Sequence, residues 1–314
     1  EIAVGHGPRA ITFSDDGARA FVLNDHAYTI GAIDLAELLS LANGETTGCD
    51  EDLTVLEAPL VMTQGKTVSF GTDPLSAAVQ RGRRIFHNSR NSHINGDDQF
   101  ACATCHLEGT EDKRVWLVLE GQRQTPSLAG RLANTGPFNW QGTEADLQHN
   151  MSKTIERMGG LGLSGPELAD LEQFMLHGLV APPNPHLTGD GLSPEQAFGK
   201  EIFERADVGC ANCHTGSATT DGQLHDVGTA SELEQGMFEF TKGFEGESIE
   251  EAIAAMGTLN TPSLRGLFYT APYLHDGSAA TLRDVLTQTA TTMGRTDHLA
   301  EDEIDALVAY MLTL

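Results

Sequence analysis

Two five-residue stretches hold the residues best suited to chemistry: Cys102, Cys105 and His106 in CATCH, and Cys210, Cys213 and His214 in CANCH. A CxxCH spacing sets two thiols one helical turn apart, where they can add to the two vinyl groups of one haem, and puts the next imidazole under the iron. Zinc is the competing ligand, since Cys102, Cys105, Cys210 and Cys213 form paired CxxC motifs that suit tetrahedral thiolate coordination. Both motifs end in His, and the second begins 108 residues after the first behind a matching helix. That symmetry favours one haem per motif over a single shared metal. His106 and His214 are then the proximal ligands, and each iron still needs a partner on its far side.

The segments around the motifs must position them. Asp73 as N-cap with Pro74 in the first turn opens a helix that runs through GRRIF, and Ser193, Pro194 and a capping-box Gln196 open another through GKEIF. LSGPELADLEQFM and LAEDEIDALVAYMLTL are amphipathic stretches closing the two halves, the second with Ile304, Leu307, Val308 and Met311 on one face. The Pro-rich run 180–194 reads as a linker between them. The halves repeat: GRRIF matches GKEIF, TPSLAG matches TPSLRG, and TGPFNWQG matches TAPYLHDG. Aligning Thr135 with Thr270 gives an offset of 135 that also carries Trp140 onto His275 and Met158 onto Met293. Two homologous mono-haem units in tandem are the simplest account.

The first part of the chain differs. RAITFS, RAFVLN and TIGAIDL are short β-branched and apolar runs separated by turn residues, which predicts an antiparallel meander. About residues 5–35 resemble one blade of a YVTN-type β-propeller. One blade cannot bury both faces alone, so the resemblance implies either the last blade of a propeller or a meander packed on the haem region. The 314 residues carry a formal charge of −26, which argues against nucleic acid and anionic membranes as partners. No apolar run approaches the roughly 18 residues of a membrane span, and EIAVGHGPRA has no signal-peptide pattern, so the chain reads as a mature or excised piece. Of the five cysteines only Cys49 is outside the motifs, and it reads as a free thiol in an acidic loop.

The paired CxxCH units, with RQTPSLAGR and FNWQGTEADL after the first and TPSLRGLFYTAPYLHDGSAATL after the second, resemble the bacterial di-haem cytochrome c peroxidase family. That family includes the enzyme that matures methylamine dehydrogenase. The resemblance covers about residues 72–314 and implies a mainly α fold: a β meander with its connector at 1–71, then cytochrome c-like haem domains at 72–180 and 181–314. It further implies a calcium ion at their interface, bound in part by the carbonyls of Thr270 and Pro272, an electron-entry haem in the second domain and a peroxide-binding haem in the first. Oxygen-only ligation suits that hard cation.

The distal ligands depart from the family pattern. The family's position, nineteen residues beyond Thr270, is held here by Thr289, a poor ligand; Met293 lies four further on, on the same face if the helix continues. A thioether raises the potential of a His-ligated haem. In the first half the equivalents are Thr154 and Met158, the loop 107–122 has no His, and Arg157 stands where an acid is expected, leaving Glu156 to reach the pocket. Met158, His149 or an open position remain the alternatives on the far side of the first iron. Trp140 corresponds to the family's Trp between the haems. His275 and His225 read as interior structural imidazoles, and His87 and His93 as surface groups. Arg123 and Arg265 are read as occupying matching places and pairing with haem propionates, with Arg131 as a third candidate.

Two functions follow. The first is electron transfer through two c-type haems by way of Trp140, to a small redox protein or an attached redox domain. The second is reduction of hydrogen peroxide at the first haem, which needs a free iron position and an acid or base within reach. Oxidation of a protein partner is a third reading. Covalent haem implies assembly in the periplasm or beyond.

Overall fold

The computed structural model describes residues 2–3, 6–35, 62–63, 65–96, 99–118, 121–189, 191–230 and 258–314. Cys49 lies outside them. The chain divides into two units, Glu1–Ser76 and Ala77–Leu314.

In the first unit the three expected strands form: β1 (Pro8–Phe13), β2 (Arg19–Asn24) and β3 (Thr29–Asp34). A fourth, β4 (Thr67–Ser69), completes an antiparallel sheet in the order β1-β2-β3-β4. Alternation along β2 turns Ala20 and Val22 to one face, opposite Ile33 and Gly31 of β3. Ala20, Val22 and Ile33 make a small core with Leu35 packed against it.

The second unit holds the eight helices found among the described residues. They are α1 (Ala77–His87), α2 (Cys102–Cys105), α3 (Leu147–Arg157), α4 (Gly165–His177), α5 (Pro194–Glu204), α6 (Cys210–Cys213), α7 (Leu282–Gln288) and α8 (Glu301–Met311). The Ser193–Gln196 capping box opens α5 as its sequence indicates, with the Ser193 hydroxyl accepting from Gln196 N at 3.2 Å. The other start moves. The Asp73 carboxylate accepts instead from Leu75 N at 3.0 Å in a tight turn, and α1 begins only at Ala77.

Within each half the first helix crosses the last. Gly82 of α1 lies so close to α4 that a methyl group there would overlap the Asp170 carbonyl, and a methyl on Gly199 of α5 would overlap the Ala306 carbonyl of α8. The residue four positions on seals each crossing: Phe86 meets Phe174 edge-on at 5.2 Å, and Phe203 meets Tyr310 at 5.5 Å. GRRIF and GKEIF are thus one packing device used twice. Burial of Phe86, Leu171, Ile202 and Leu307 at these crossings stabilises each pair by about 1.5–3 kcal/mol per side chain.

The offset of 135 also holds in three dimensions. Phe138 bridges Glu144 as Tyr273 bridges Ala279, and Asn139 and Leu274 both take left-handed backbone. The helices that follow are capped at equivalent residues, Asp146 and Thr281.

Candidate functional site

Each CxxCH forms a single helical turn, closed by His106 N donating to Cys102 O at 2.9 Å and by His214 N donating to Cys210 O at 3.1 Å. The four thiols are free of disulfides. Burial pushes Cys102 and Cys210 up to about 11, which leaves them as protonated thiols. Burial also pushes both imidazoles down, holding His106 and His214 in the neutral form that can bind a metal. The carbonyls of Pro126 and Pro262, from the two TPSL segments, pull the other way on His106 and His214, and burial outweighs them. The donor set of each turn, two thiols and a buried neutral imidazole, fits a c-type haem. Among the described residues no donor group joins Cys102 and Cys105 to Cys210 and Cys213, so a shared tetrathiolate zinc is not assembled. Among the described residues, a group that could hold an ion combines Cys213 with Asp221 and His225.

The imidazoles are not held alike. His214 Nδ1 lies 3.1 Å from the Thr219 carbonyl, whereas His106 Nδ1 is buried and makes no hydrogen bond. A hydrogen bond on the far ring nitrogen fixes the tautomer and raises ligand basicity.

Met158 and Met293 keep equivalent settings. Met158 caps α3, precedes the left-handed Gly159, and accepts at its carbonyl from Gly96 N at 3.3 Å, in the segment leading into CATCH. Met293 precedes the left-handed Gly294, and Arg295 N donates to Val208 O at 2.8 Å, in the segment leading into CANCH. The route to Met293 differs from the sequence expectation. The helix does not continue: α7 ends at Gln288, and a turn closed by Met293 N on Thr289 O at 3.0 Å carries the chain on. Thr289 is buried, with its hydroxyl donating to Val285 O at 2.7 Å.

Glu156 is exposed and pairs with Lys153 at 3.0 Å. His149 lies on an exposed face with Nδ1 2.9 Å from Glu144. His275 is buried, while His225 is only half-buried, its Nε2 2.8 Å from the Asp221 carboxylate. His87 is half-buried too and packs edge-on against Phe174, so it is not a surface group. His93 is exposed.

Trp140 joins the halves. Its indole Nε1 donates to Gln124 O at 2.9 Å, Gln124 N donates to His275 O at 2.6 Å, and Asn260 N donates to Trp140 O at 2.8 Å. Its ring faces His275, its own counterpart in the repeat, edge-on at 6.3 Å.

The arginines need a correction. Arg123 lies in the hairpin of β5 (Val115–Val118) and β6 (Gly121–Gln124), whereas Arg265 lies beyond TPSL. They do not occupy matching places, because Arg123 precedes Thr125 and Arg265 follows Thr261. Arg123 is buried, donating to Gln122 O at 2.7 Å and to the Gln141 amide oxygen at 3.0 Å. The reciprocal pair is Arg131 and Arg265. Arg131 donates to the carbonyls of Ser263 and Arg265, while Arg265 donates to Ala133 O at 2.7 Å and to Ser217 O at 2.9 Å. This clasp crosses between the halves, and sequence reading missed it because all four acceptors are main chain. Thr270 ends the 3-10 turn Leu267–Tyr269, and Pro272 is joined to Ala271 by a cis bond. Nearby, Glu111 is buried with neither oxygen hydrogen-bonded, and burial pushes its carboxyl up against the opposing pull of Lys113, Ser127 and Arg131.

Helix crossings that frame thiol–imidazole turns define a c-type cytochrome, and the cytochrome c family model matches residues 196–314. The chain is 33% identical to the hydrazine synthase gamma subunit of Kuenenia stuttgartiensis, over 87% of this chain and 86% of that one. It is 28% identical to the cytochrome-c peroxidase IdrP2 of Denitromonas iodatirespirans, over 66% and 72%, and 24% identical to the methylamine utilization protein MauG of Methylorubrum extorquens, over 82% and 80%. The fold is similar to a solved chain of Kuenenia stuttgartiensis hydrazine synthase, with a TM-score of 0.59 at 22% identity over 79% of this chain and 98% of that one. The chain belongs to the di-haem cytochrome c peroxidase family. No helix among the described residues is long and apolar enough to cross a membrane.

Proposed function

We propose that the chain is a periplasmic electron carrier that holds two c-type haems, one on Cys102, Cys105 and His106 and the other on Cys210, Cys213 and His214. The observation that carries this reading is the duplicated setting: each thiol–imidazole turn follows a glycine-mediated helix crossing, and the segment leading into it is hydrogen-bonded through its backbone to the segment where a methionine precedes a left-handed glycine. When bound, each haem supplies a one-electron redox centre. The chain's own part is to keep the imidazoles neutral, to offer Met158 and Met293 as sixth ligands, and to hold Trp140 between the halves through Gln124 and Asn260. Arg265 and Arg123 are the cations for the propionates, and the carbonyls of Thr270 and Pro272 are donors for a calcium ion.

Electron transfer is favoured over peroxide reduction because Glu156, the acid expected to reach the pocket, and His149, the rival to Met158, are both engaged at the surface. Glu156 pairs with Lys153 on the surface, and His149 turns to Glu144. The peroxidases among the relatives favour the second reading, in which peroxide reaches the iron at His106. Adding hydrogen peroxide or cyanide to the oxidised protein separates the two. Unchanged spectra support the carrier, and fast binding at the CATCH haem supports the peroxidase.

A further inference from the structure

The turn that follows CANCH brings three unlike donors to one place. Cys213 Sγ, an oxygen of Asp221 and a ring nitrogen of His225 all lie within 4.8 Å of one another, and all three residues are half-buried. His225 Nε2 is 2.8 Å from Asp221 Oδ2. Main-chain contacts place the carboxylate and the imidazole. Thr220 Oγ1 donates to Thr261 O at 2.6 Å, Thr261 N donates to Gln223 O at 3.0 Å, and Gln223 N donates to Asp221 Oδ1 at 3.0 Å. His225 is fixed in β7 (Leu224–His225), which pairs antiparallel with β8 (Leu259–Asn260). Thiolate, imidazole and carboxylate are the donors of zinc sites, which hold them at about 2.0–2.3 Å. Around a tetrahedral ion such donors stand roughly 3.3–3.8 Å apart, so side-chain rotation closes the set on one ion and leaves the fourth position to water. A chain of charge −26 also concentrates cations around itself. The first half has no such set. Asp221 and His225 stand eight and twelve residues beyond Cys213, whereas Lys113 and Leu117, a cation and an alkyl group, stand at those steps beyond Cys105. Among the described residues no group of three donors includes Cys105.

We infer that Cys213, Asp221 and His225 form a zinc site in the chain before its second haem is attached, so that a zinc ion and that haem compete for one thiol. This rests on the reading that Cys210, Cys213 and His214 hold a haem. Haem attachment adds the Cys213 S–H across a vinyl double bond, sulfur to one carbon and hydrogen to the other, and leaves a thioether. Zinc instead takes the thiolate and releases its proton, which withdraws the sulfur from the vinyl group. A thioether carries no charge and is the weaker ligand for zinc, so attachment of the haem dismantles the site. CATCH loads without this competition, and zinc availability sets whether the chain carries one haem or two.

The full chain is matured with c-type haem attachment at low zinc and with zinc added, and each haem peptide is counted by mass after digestion. Added zinc should lower occupancy of the CANCH peptide by about three-fold or more and leave that of the CATCH peptide unchanged. Asp221→Asn with His225→Gln should load both haems at either zinc level. The site is read directly in a Cys49→Ser, Cys210→Ser chain, taken as the fraction that carries only the first haem, where Cys213 is the one free thiol. This fraction should retain one zinc ion with one sulfur neighbour in its X-ray absorption, and lose it in Cys213→Ser and in the double variant at Asp221 and His225. Zinc sensitivity that persists in the double variant, or bound zinc with no sulfur neighbour, would overturn the inference. A second haem missing from the parent chain at every zinc level marks failure of the haem reading, and the sulfur neighbour alone then decides the metal site.

Discussion

Gly82 and Gly199 stand at the same point of two helix crossings, yet the imidazoles that follow them are held differently. His214 has the Thr219 carbonyl on its far nitrogen, and His106 has no hydrogen bond there. The segments that carry the methionines diverge as well. In the first half α3 runs unbroken from Leu147 to Arg157 with Thr154 exposed, whereas α7 stops at Gln288 and Thr289 is buried. Close packing tolerates little change, so duplication preserves the crossings. The ligand shell is less constrained by volume, and there the two halves have become distinct.

Removing the thiols tests the comparison most severely. Cys102→Ser with Cys105→Ser, and Cys210→Ser with Cys213→Ser, should each lower the mass by one haem and about halve the Soret absorbance; loss of both haems from either variant would show that the halves do not load independently. Next come the methionines. Met293→Ala and Met158→Ala should each remove a thioether-to-iron charge-transfer band and lower the potential of their own haem by on the order of 100 mV, a fraction of the ~0.8 V that axial ligands span. A change in only one half would assign the other iron a different far-side ligand.

Stability changes are smaller. Arg131→Ala should cost about 3 kcal/mol, because it leaves the carbonyls of Ser263 and Arg265 without their donor, and urea unfolding would read it. Gly82→Ala and Gly199→Ala should each cost about 1–3 kcal/mol by forcing a crossing apart, and equal costs would establish that the two crossings are energetically the same device.

The smallest effect is one of pH. Burial raises the Glu111 carboxyl, so the folded protein keeps this proton over a range in which the unfolded chain has released it. Its contribution is fully present below the ordinary glutamate range and is lost as pH rises through the raised value. Glu111→Gln should flatten that decline in urea unfolding measured from pH 4 to pH 8, and an unaltered slope would mean that the carboxylate is solvated.

Local signals read true where they were self-contained. Ser193, Pro194 and Gln196 form the cap they spell out, and the three strand runs became strands because alternation and turns are written within a few residues. Asp73 misled because an Asp before a helix can serve a turn as readily as a cap, and only the competition with Leu75 N decides. The bend before Met293 was hidden because Thr289 looks like a helix residue until its neighbours bury it. Arg123 and Arg265 were paired by their nearness to a shared motif, although their registers relative to TPSL differ. The Arg131–Arg265 clasp joins side chains of each half to main-chain carbonyls of the other, and no periodicity records such links.

That clasp has a kinetic meaning. Arg131 reaches carbonyls of the second half, and Arg265 reaches a carbonyl of the first. Main-chain acceptors cannot be exchanged by substitution, so the separation of the halves is set by the backbone. On the proposed electron-transfer reading, an electron passing between the halves would cross a junction whose length the clasp holds constant.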